Sequence, residues 1–121
     1  MKNLIVYSLV LLFFACAGNV DSAPAETAKI VAESFYKGDE TALKQHTTAE
    51  GYANFKNLMA MFAKSENSDS NFKVIEETME GDVAWVKYST SYDKTPGVFK
   101  LVKQDGDWKV TARRPKEKVP F

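Results

Sequence analysis

The chain carries two hydrophobic patterns, separated by a polar stretch at residues 64–71. Before this stretch, apolar residues recur at steps of three and four, which is typical of amphipathic helices. After it, apolar and polar residues alternate, which is typical of strands. Residues 24–63 are therefore predicted to be helical and residues 72–113 to form a sheet. Helices followed by strands indicate an α+β domain, with the helices packed on one face of the sheet.

Three helices are predicted in the first half. The first begins at Pro24, because proline suits an opening helical turn. A short second helix follows over residues 40–46, and Asp39 is positioned to cap it. The third is expected to begin at a capping box formed by Thr47 and Glu50.

Four strands are predicted in the second half, rich in β-branched and aromatic residues. Their connections are short, and one contains Asp105-Gly106, a strong hairpin signal. Short connections force antiparallel neighbours, so the helices are expected to pack on a curved four-stranded antiparallel meander. The predicted strands cover residues 72–80, 82–92, 98–104 and 107–113.

Both faces of the central strands are partly apolar, whereas a sheet with one solvated face should alternate more cleanly. One face carries Ala84, Val86 and Tyr88 and is expected to meet the helices. The other face, called here the outer face, is therefore predicted to be covered, either by a second copy of the chain or by the sheet curving over its own edge. Its apolar residues are Val83, Trp85, Val98 and Val102.

The N-terminus has a different pattern, with a positive start followed by an apolar run from Leu4 to Ala15. This run is typical of a secretory signal and is shorter than the roughly 20 residues that span a bilayer. It ends at Cys16, the single cysteine of the chain. The last residues of the run, with Cys16, resemble a bacterial lipobox, in which the cysteine is lipidated.

This interpretation divides the chain into four parts and predicts its location. A lipid on Cys16 would hold the protein on a membrane of the bacterial cell envelope, outside the cytoplasm. The alternative is cleavage after Ala17 by an ordinary signal peptidase, which would discard the cysteine. The predicted parts are a signal peptide at 1–15, the lipidated cysteine and a tether at 16–23, the α+β domain at 24–114, and a solvated C-terminal tail at 115–121.

Composition removes several classes of function. The chain has 16 basic and 16 acidic residues and no net charge, so nothing favours nucleic acid as a partner. His46 is the single histidine and no cysteine follows Cys16, which excludes a transition-metal site of ordinary composition. No glycine-rich loop is present to hold phosphate. No cofactor and no metal are therefore expected.

Several segments resemble the nuclear-transport-factor-2-like (NTF2-like) superfamily, whose cone is shared with ketosteroid isomerase and scytalone dehydratase. The similarity is greatest to small bacterial lipoproteins built from a domain of unknown function. It implies a cystatin-like α+β cone and does not imply an activity. The matching segments are residues 24–28, 36–39, 80–86 and 101–110.

The resemblance also implies what an enzyme of this fold would need. Cofactor-free enzymes with this cone use an Asp or His base and a Tyr or Asp hydrogen-bond donor, both facing inward. His46 is the candidate base here, with Tyr36, Tyr52, Tyr88 or Tyr92 as donor. No acid is expected to face inward from the strands, because Glu76, Glu77 and Asp82 fall at strand ends or mixed positions.

The sequence therefore assigns no catalytic residue. It favours a lipid-anchored module that binds a small apolar ligand or a protein, because the inner faces are apolar and no catalytic set is evident. A cofactor-free isomerase or dehydratase and a purely structural dimer are the alternatives. The ligand pocket is expected between the third helix and the sheet, near Phe35, Tyr52, Phe55, Met59 and Tyr88.

Overall fold

The computed structural model describes residues 22–62 and 69–121. The predicted signal peptide (1–15), Cys16 and nearly all of the tether lie outside the described residues. Most of the polar loop before the strands does too. The assignments of lipidation and cleavage therefore stay predictions.

The three predicted helices are present: α1 spans Ala23–Lys37, α2 spans Glu40–Gln45 and α3 spans Ala49–Phe62. Ser22 caps α1 by accepting a hydrogen bond from the Ala25 amide, and Gly38 ends this helix with a left-handed φ of 74°. Asp39 caps α2 as predicted, because its carboxylate accepts a hydrogen bond from the Ala42 amide at 3.1 Å.

The four strands form one antiparallel sheet in the order β1-β2-β3-β4. The predicted α+β meander is therefore confirmed. The second strand is shorter than predicted, because the chain leaves the sheet after Ser89 and loops to Gly97. The strands are β1 (Lys73–Glu80), β2 (Val83–Ser89), β3 (Gly97–Gln104) and β4 (Asp107–Thr111).

The core lies between the helices and the inner face of the sheet. Burying these aliphatic groups supplies the main driving force for the fold. Alternation correctly predicted which strand residues enter the core. Fully buried members are Ala28 and Val31 of α1, Leu43 of α2, and Ala84, Val86, Leu101 and Val110 of the sheet.

A β-bulge interrupts β1 at Ile75. Val74 pairs with Tyr88, but the next pair joins Glu76 to Lys87, so Ile75 is an extra residue on β1. A bulge of this kind reverses the facing of every later residue on its strand. Glu77 consequently pairs with Val86 on the inner face, beside the helices.

The start of α3 differs from the prediction, because Thr48 rather than Thr47 caps the helix. The Thr48 hydroxyl accepts a hydrogen bond from the Gly51 amide at 3.0 Å. The Thr47 hydroxyl instead donates to the Leu43 carbonyl at 2.7 Å, while its backbone bridges to Val110 of β4. Pairing with the sheet thus takes the backbone of Thr47 away from the capping position.

The segment before α3 also closes one edge of the sheet. The Thr48 amide donates to the Val110 carbonyl, and the Val110 amide donates to the His46 carbonyl, both at 2.9 Å. These bonds use the outward-facing amide and carbonyl of Val110. Within the described residues, β1 pairs with β2 alone and forms the opposite edge.

The C-terminal tail is not uniformly solvated, in contrast to the prediction. Glu117, Val119 and Phe121 are half-buried, whereas Lys118 and Pro120 between them are exposed. The difference has a physical cause, since two of the three half-buried residues are apolar and Glu117 forms an ion pair with Lys100. Within residues 22–62 and 69–121, no helix has the length and apolar character needed to cross a membrane.

Candidate functional site

The predicted pocket residues form an aromatic cluster between α3 and the sheet. Phe35 and Phe55 meet edge to face with centroids 5.7 Å apart, and Phe55 meets Phe99 in the same way at 5.7 Å. Tyr88 packs on Phe99 at 4.6 Å, and Met59 is buried nearby. The rings contact one another, so a ligand between them would have to separate them, and the hollow beside Phe55 and Phe99 is small, at about 170 Å³.

Tyr52 lies at the margin of this cluster. It is half-buried, and its hydroxyl donates to Glu40 Oε1 of α2 at 3.0 Å. This hydrogen bond raises the pKa of Tyr52, because losing the proton would place two negative charges side by side. The structure thus groups Phe35, Phe55, Met59 and Tyr88 and places Tyr52 beside them.

A second group of aromatic residues lies where the β2–β3 loop meets the end of α1. The Tyr36 hydroxyl donates to Asp93 Oδ2 at 2.7 Å. Burial and this hydrogen bond raise the pKa of Tyr36 to about 12. Burial likewise raises the pKa of Tyr88, whose hydroxyl lies against Gly97 so closely that a Cβ there would be 2.6 Å away. Both hydroxyls therefore remain protonated near neutral pH.

The most site-like open volume lies at the opposite end of the sheet, between the start of α1, the end of α2 and the β3–β4 turn. Its volume is about 390 Å³. We call it the His46 cleft. Its lining combines apolar, hydroxyl, amide and charged groups: Ala23, Glu26, Thr27, Ile30, Gln45, His46, Gly106, Asp107, Trp108 and Lys109.

Two other hollows are less suited to hold a ligand. One, of about 520 Å³, is formed by the consecutive residues 37–41 around the α1–α2 turn and is mainly polar. The other, of about 170 Å³, is small and lies beside Phe55 and Arg113. Of the two hollows that join residues distant in the sequence, the His46 cleft is the larger, and its lining includes an indole ring and an imidazole.

Local structure holds His46 in place. It is the C-cap of α2, and its Nδ1 lies 2.8 Å from the Ala42 carbonyl oxygen. A carbonyl only accepts, so Nδ1 carries the proton in this bond and Nε2 is left to accept from a ligand. Lys109 reaches the same helix end, where its Nζ donates to the Gln45 carbonyl at 2.9 Å.

Trp108 reaches the cleft because of the β3–β4 turn. Asp105 and Gly106 both have positive φ, 53° and 86°, as the Asp-Gly signal predicted. The turn places Trp108 opposite Lys103, and the Lys103 Nζ lies 5.8 Å from the indole centroid. The ring also packs against the core, so its position is firmly held.

The structure contradicts the expectation that no acid faces inward from the strands. Glu77 lies on the inner face because of the bulge at Ile75, and its carboxylate accepts a hydrogen bond from the Ser22 hydroxyl. Ser22 caps α1, so the carboxylate lies at the positive end of that helix. Glu77 does not line the His46 cleft, and its visible role is to hold the helix start against β1.

The cleft does not bring His46 together with any of the four tyrosines considered as its hydrogen-bond donor. No tyrosine is among the described residues that line the His46 cleft. The carboxylates that line the cleft with His46 belong to Glu26 and Asp107. Within residues 22–62 and 69–121, no group of three or more His, Cys, Asp and Glu side chains is placed to hold a metal ion. The cleft is therefore equipped for hydrogen bonding and apolar contact.

Sequence reasoning singled out His46 but missed the cleft that it forms with Trp108. Its walls come from residues 23–30, 45–46 and 106–109, which are widely separated in the chain. The Asp-Gly turn was the one available signal, since it places Trp108 at the end of the sheet where α1 begins.

Comparison with known proteins supports the fold alone. No protein-family model matches the sequence, and no curated protein matches it significantly. A Campylobacter jejuni structure, provisionally described as an NTF2-like transpeptidase, gives a TM-score of 0.61 at 18% identity, covering 76% of this chain and 100% of that one. An NTF2-like protein of unknown function from Silicibacter pomeroyi gives 0.62 at 12% identity, covering 74% and 87%.

A third structure, from Shewanella frigidimarina and provisionally described as a ketosteroid isomerase, gives 0.48 at 23% identity, covering 77% and 94% of the two chains. The first two similarities extend over about three quarters of this chain and include helices followed by an antiparallel sheet. At these identities the likeness concerns architecture and not activity. The protein therefore has the NTF2-like cone fold.

Proposed function

We propose that this protein is a lipid-anchored module of the bacterial cell envelope that binds a small ligand in the His46 cleft without chemically converting it. The single observation that carries the proposal is the cleft itself, whose volume of about 390 Å³ lies within the range of small-molecule sites. The anchor is the predicted lipid on Cys16, which would keep the domain close to a membrane.

The lining of the cleft favours a ligand with both an apolar part and polar groups. Ile30 and Trp108 offer apolar surface, and Thr27 offers a hydroxyl. His46 offers a nitrogen whose ring is already oriented by the bond to Ala42. Pre-oriented groups cost little ordering entropy on binding, which favours affinity.

A binding role is preferred to an enzymatic one because two of the four candidate tyrosine donors bond to other groups and none of the four lines the cleft. Tyr36 donates to Asp93 and Tyr52 donates to Glu40. His46 thus has no tyrosine partner among the described lining residues. Catalysis would need a tyrosine donor that the described lining lacks, whereas ligand binding does not need one.

Trp108 provides the direct test of ligand binding. In a Trp85→Phe background Trp108 is the single tryptophan, so its fluorescence reports on the cleft. We expect compounds extracted from the native protein, and identified by mass spectrometry, to change this fluorescence saturably. Thr27→Phe should fill the cleft and abolish the change, whereas Thr95→Phe in the exposed β2–β3 loop should not. An unchanged response in Thr27→Phe would contradict binding in this cleft.

Anchoring is tested separately by the intact mass of the mature protein. We expect a chain that starts at Cys16 and carries acyl groups, and we expect Cys16→Ser to remain unprocessed and unlipidated. A mature chain that starts after Ala17 and lacks added mass would refute the anchor and leave the cleft hypothesis standing.

A further inference from the structure

The outer face raises a packing problem. Trp85 lies on the side of the sheet opposite the helices, yet the residue is only 8% exposed. Its neighbours on the adjoining strands are Thr78 and Lys100, which flank it at the level of the sheet. The Lys100 side chain reaches part of the indole face, and the rest of that face needs cover from another part of the molecule.

Lys100 connects this tryptophan to the C-terminus. The two residues are direct partners across β2 and β3, and the Lys100 Nζ lies 5.8 Å from the indole centroid. The same nitrogen lies 2.6 Å from Glu117 Oε2, and both side chains are largely shielded, at 15% and 24% exposure. The ion pair therefore places Glu117 above the outer face, next to Trp85.

A turn brings the chain to this position after β4 ends. The Glu117 amide donates to the Arg114 carbonyl at 3.1 Å, and the Arg114 amide donates to Glu117 Oε1 at 3.2 Å. Pro115 occupies the second position of the turn, where its fixed φ is favourable. One carboxylate thus both closes the turn and pairs with Lys100, and these hydrogen bonds lower the pKa of Glu117.

Burial beyond the turn alternates residue by residue. Glu117, Val119 and Phe121 are half-buried, and the intervening Lys118 and Pro120 are exposed. Alternation with a period of two is the mark of an extended chain that rests one side on a surface. The extended segment starts above the outer face, because Glu117 is fixed to Lys100 there.

From these contacts we propose that residues 114–121 are a strap that closes the outer face intramolecularly and is latched by the Lys100–Glu117 ion pair. We call this segment the C-terminal strap. It explains how both faces of the central strands can be apolar in a single chain. A second copy of the protein would reach the outer face only after the strap lifts, so strap and partner are mutually exclusive occupants.

The test measures how easily acrylamide quenches Trp85 fluorescence. In full-length chains carrying Trp108→Phe, Trp85 is the single tryptophan. Ending the chain after Arg114 removes most of the strap, and we expect the quenching constant to rise at least about twofold, because a nearly buried indole becomes solvent-exposed. Circular dichroism on the same sample establishes that the truncated chain is folded.

Point variants test the latch without shortening the chain. Glu117→Lys places two positive charges together, and we expect it to raise the population of the open strap about threefold, a typical effect for one partly shielded ion pair. The charge-swapped double variant Lys100→Glu/Glu117→Lys should restore the part of the protection that depends on the ion pair, because lysine at 117 no longer accepts from the Arg114 amide. Lys118→Glu reverses a charge on the exposed side of the strap and is the matched control, expected to leave quenching unchanged.

Sedimentation of the truncated chain identifies what the uncovered face does. A monomer with quenchable Trp85 supports a strap that is purely a cover. A dimer in which Trp85 regains protection as protein concentration rises supports competition between the strap and a second copy. A folded truncated chain that stays monomeric, with Trp85 as protected as in the full-length chain, would overturn the proposal, because something else must then cover the indole.

Discussion

Gly51 marks the closest approach of α3 to the sheet. A Cβ at this position would lie 2.6 Å from the Val110 carbonyl oxygen and 3.2 Å from the Thr111 Cα. Both atoms are backbone and belong to β4, so they cannot move aside without disturbing the sheet.

We therefore expect Gly51→Ala to lower the free energy of unfolding by about 2 kcal/mol, the usual cost of overpacking a tight contact. The sign of this change in free energy is informative, because replacing glycine by alanine ordinarily stabilises a helix. Urea denaturation measures the effect. Asn57→Ala, on the exposed side of the same helix, is the control and should be neutral or slightly stabilising.

The raised pKa of Tyr36 predicts how the free energy of unfolding changes at alkaline pH. Its pKa is raised from 10.0 to about 12 in the folded protein, by burial and by the hydrogen bond to Asp93. Between these two values the unfolded chain loses the proton first, so the free energy of unfolding falls as pH rises. The contribution of Tyr36 is complete below about pH 10 and is lost as pH rises through about 12.

Tyrosinate absorbance during an alkaline titration checks this assignment. We expect Asp93→Asn to lower the pKa of Tyr36, because the acceptor loses its negative charge. Tyr36→Phe should remove one late-titrating group and flatten the pH dependence of unfolding between pH 10 and 12. An unchanged titration in both variants would show that the hydrogen bond does not hold the proton.

At the scale of single elements, the N-terminal cap of α3 predicts a measurable loss of stability when its hydroxyl group is removed. The Thr48 hydroxyl accepts from the Gly51 amide and donates to the Thr111 hydroxyl at 2.8 Å, which joins the helix to the last strand. We expect Thr48→Ala to cost about 1.5 kcal/mol of unfolding free energy in urea denaturation. Thr48→Ser keeps the oxygen and should cost far less. Equal losses in the two variants would point to the methyl group instead of the cap.

The type of each element was predictable because helices and strands differ in hydrophobic period. The order of the strands in the sheet was predictable because short turns allow few sheet topologies. The bulge at Ile75 was not, because a single extra residue leaves no mark in the alternating pattern. Its consequence is the misassigned facing of Glu77, whose carboxylate meets Ser22 on the inner side. Similarly, Thr47 has a better capping-box partner in Glu50 than Thr48 has, and pairing with Val110 decided between them.

The candidate site was less predictable than the fold. The aromatic residues assigned to a pocket pack against the core, and periodicity does not distinguish a filled core from a cavity. The His46 cleft depends on how α1 crosses the end of the sheet, which is a tertiary property. Composition suggested a solvated tail because the basic residues at the end of the chain outnumber the apolar residues Val119 and Phe121. These basic residues are Arg113, Arg114, Lys116 and Lys118.

At the scale of the whole molecule, the cover over Trp85 comes either from the same chain or from a second copy, and stability measurements distinguish the two. With 8% exposure, the indole contributes to folding, and we expect Trp85→Ala to cost about 3 kcal/mol of unfolding free energy. If the C-terminal strap provides the cover, the urea midpoint of the native protein should not depend on protein concentration. A midpoint that rises with concentration would instead indicate that a dimer buries Trp85.

Both edges of the sheet oppose the addition of a further strand, each for a different reason. At β4 the amide and carbonyl of Val110 are already bonded to residues 46–48, which obstructs the addition of a further strand there. At β1 the extra residue at Ile75 distorts the spacing that an incoming strand would need, and Lys73, Glu76 and Glu80 place charges along it. High local concentrations of such molecules should therefore not seed fibrils through the sheet edges that the structure describes.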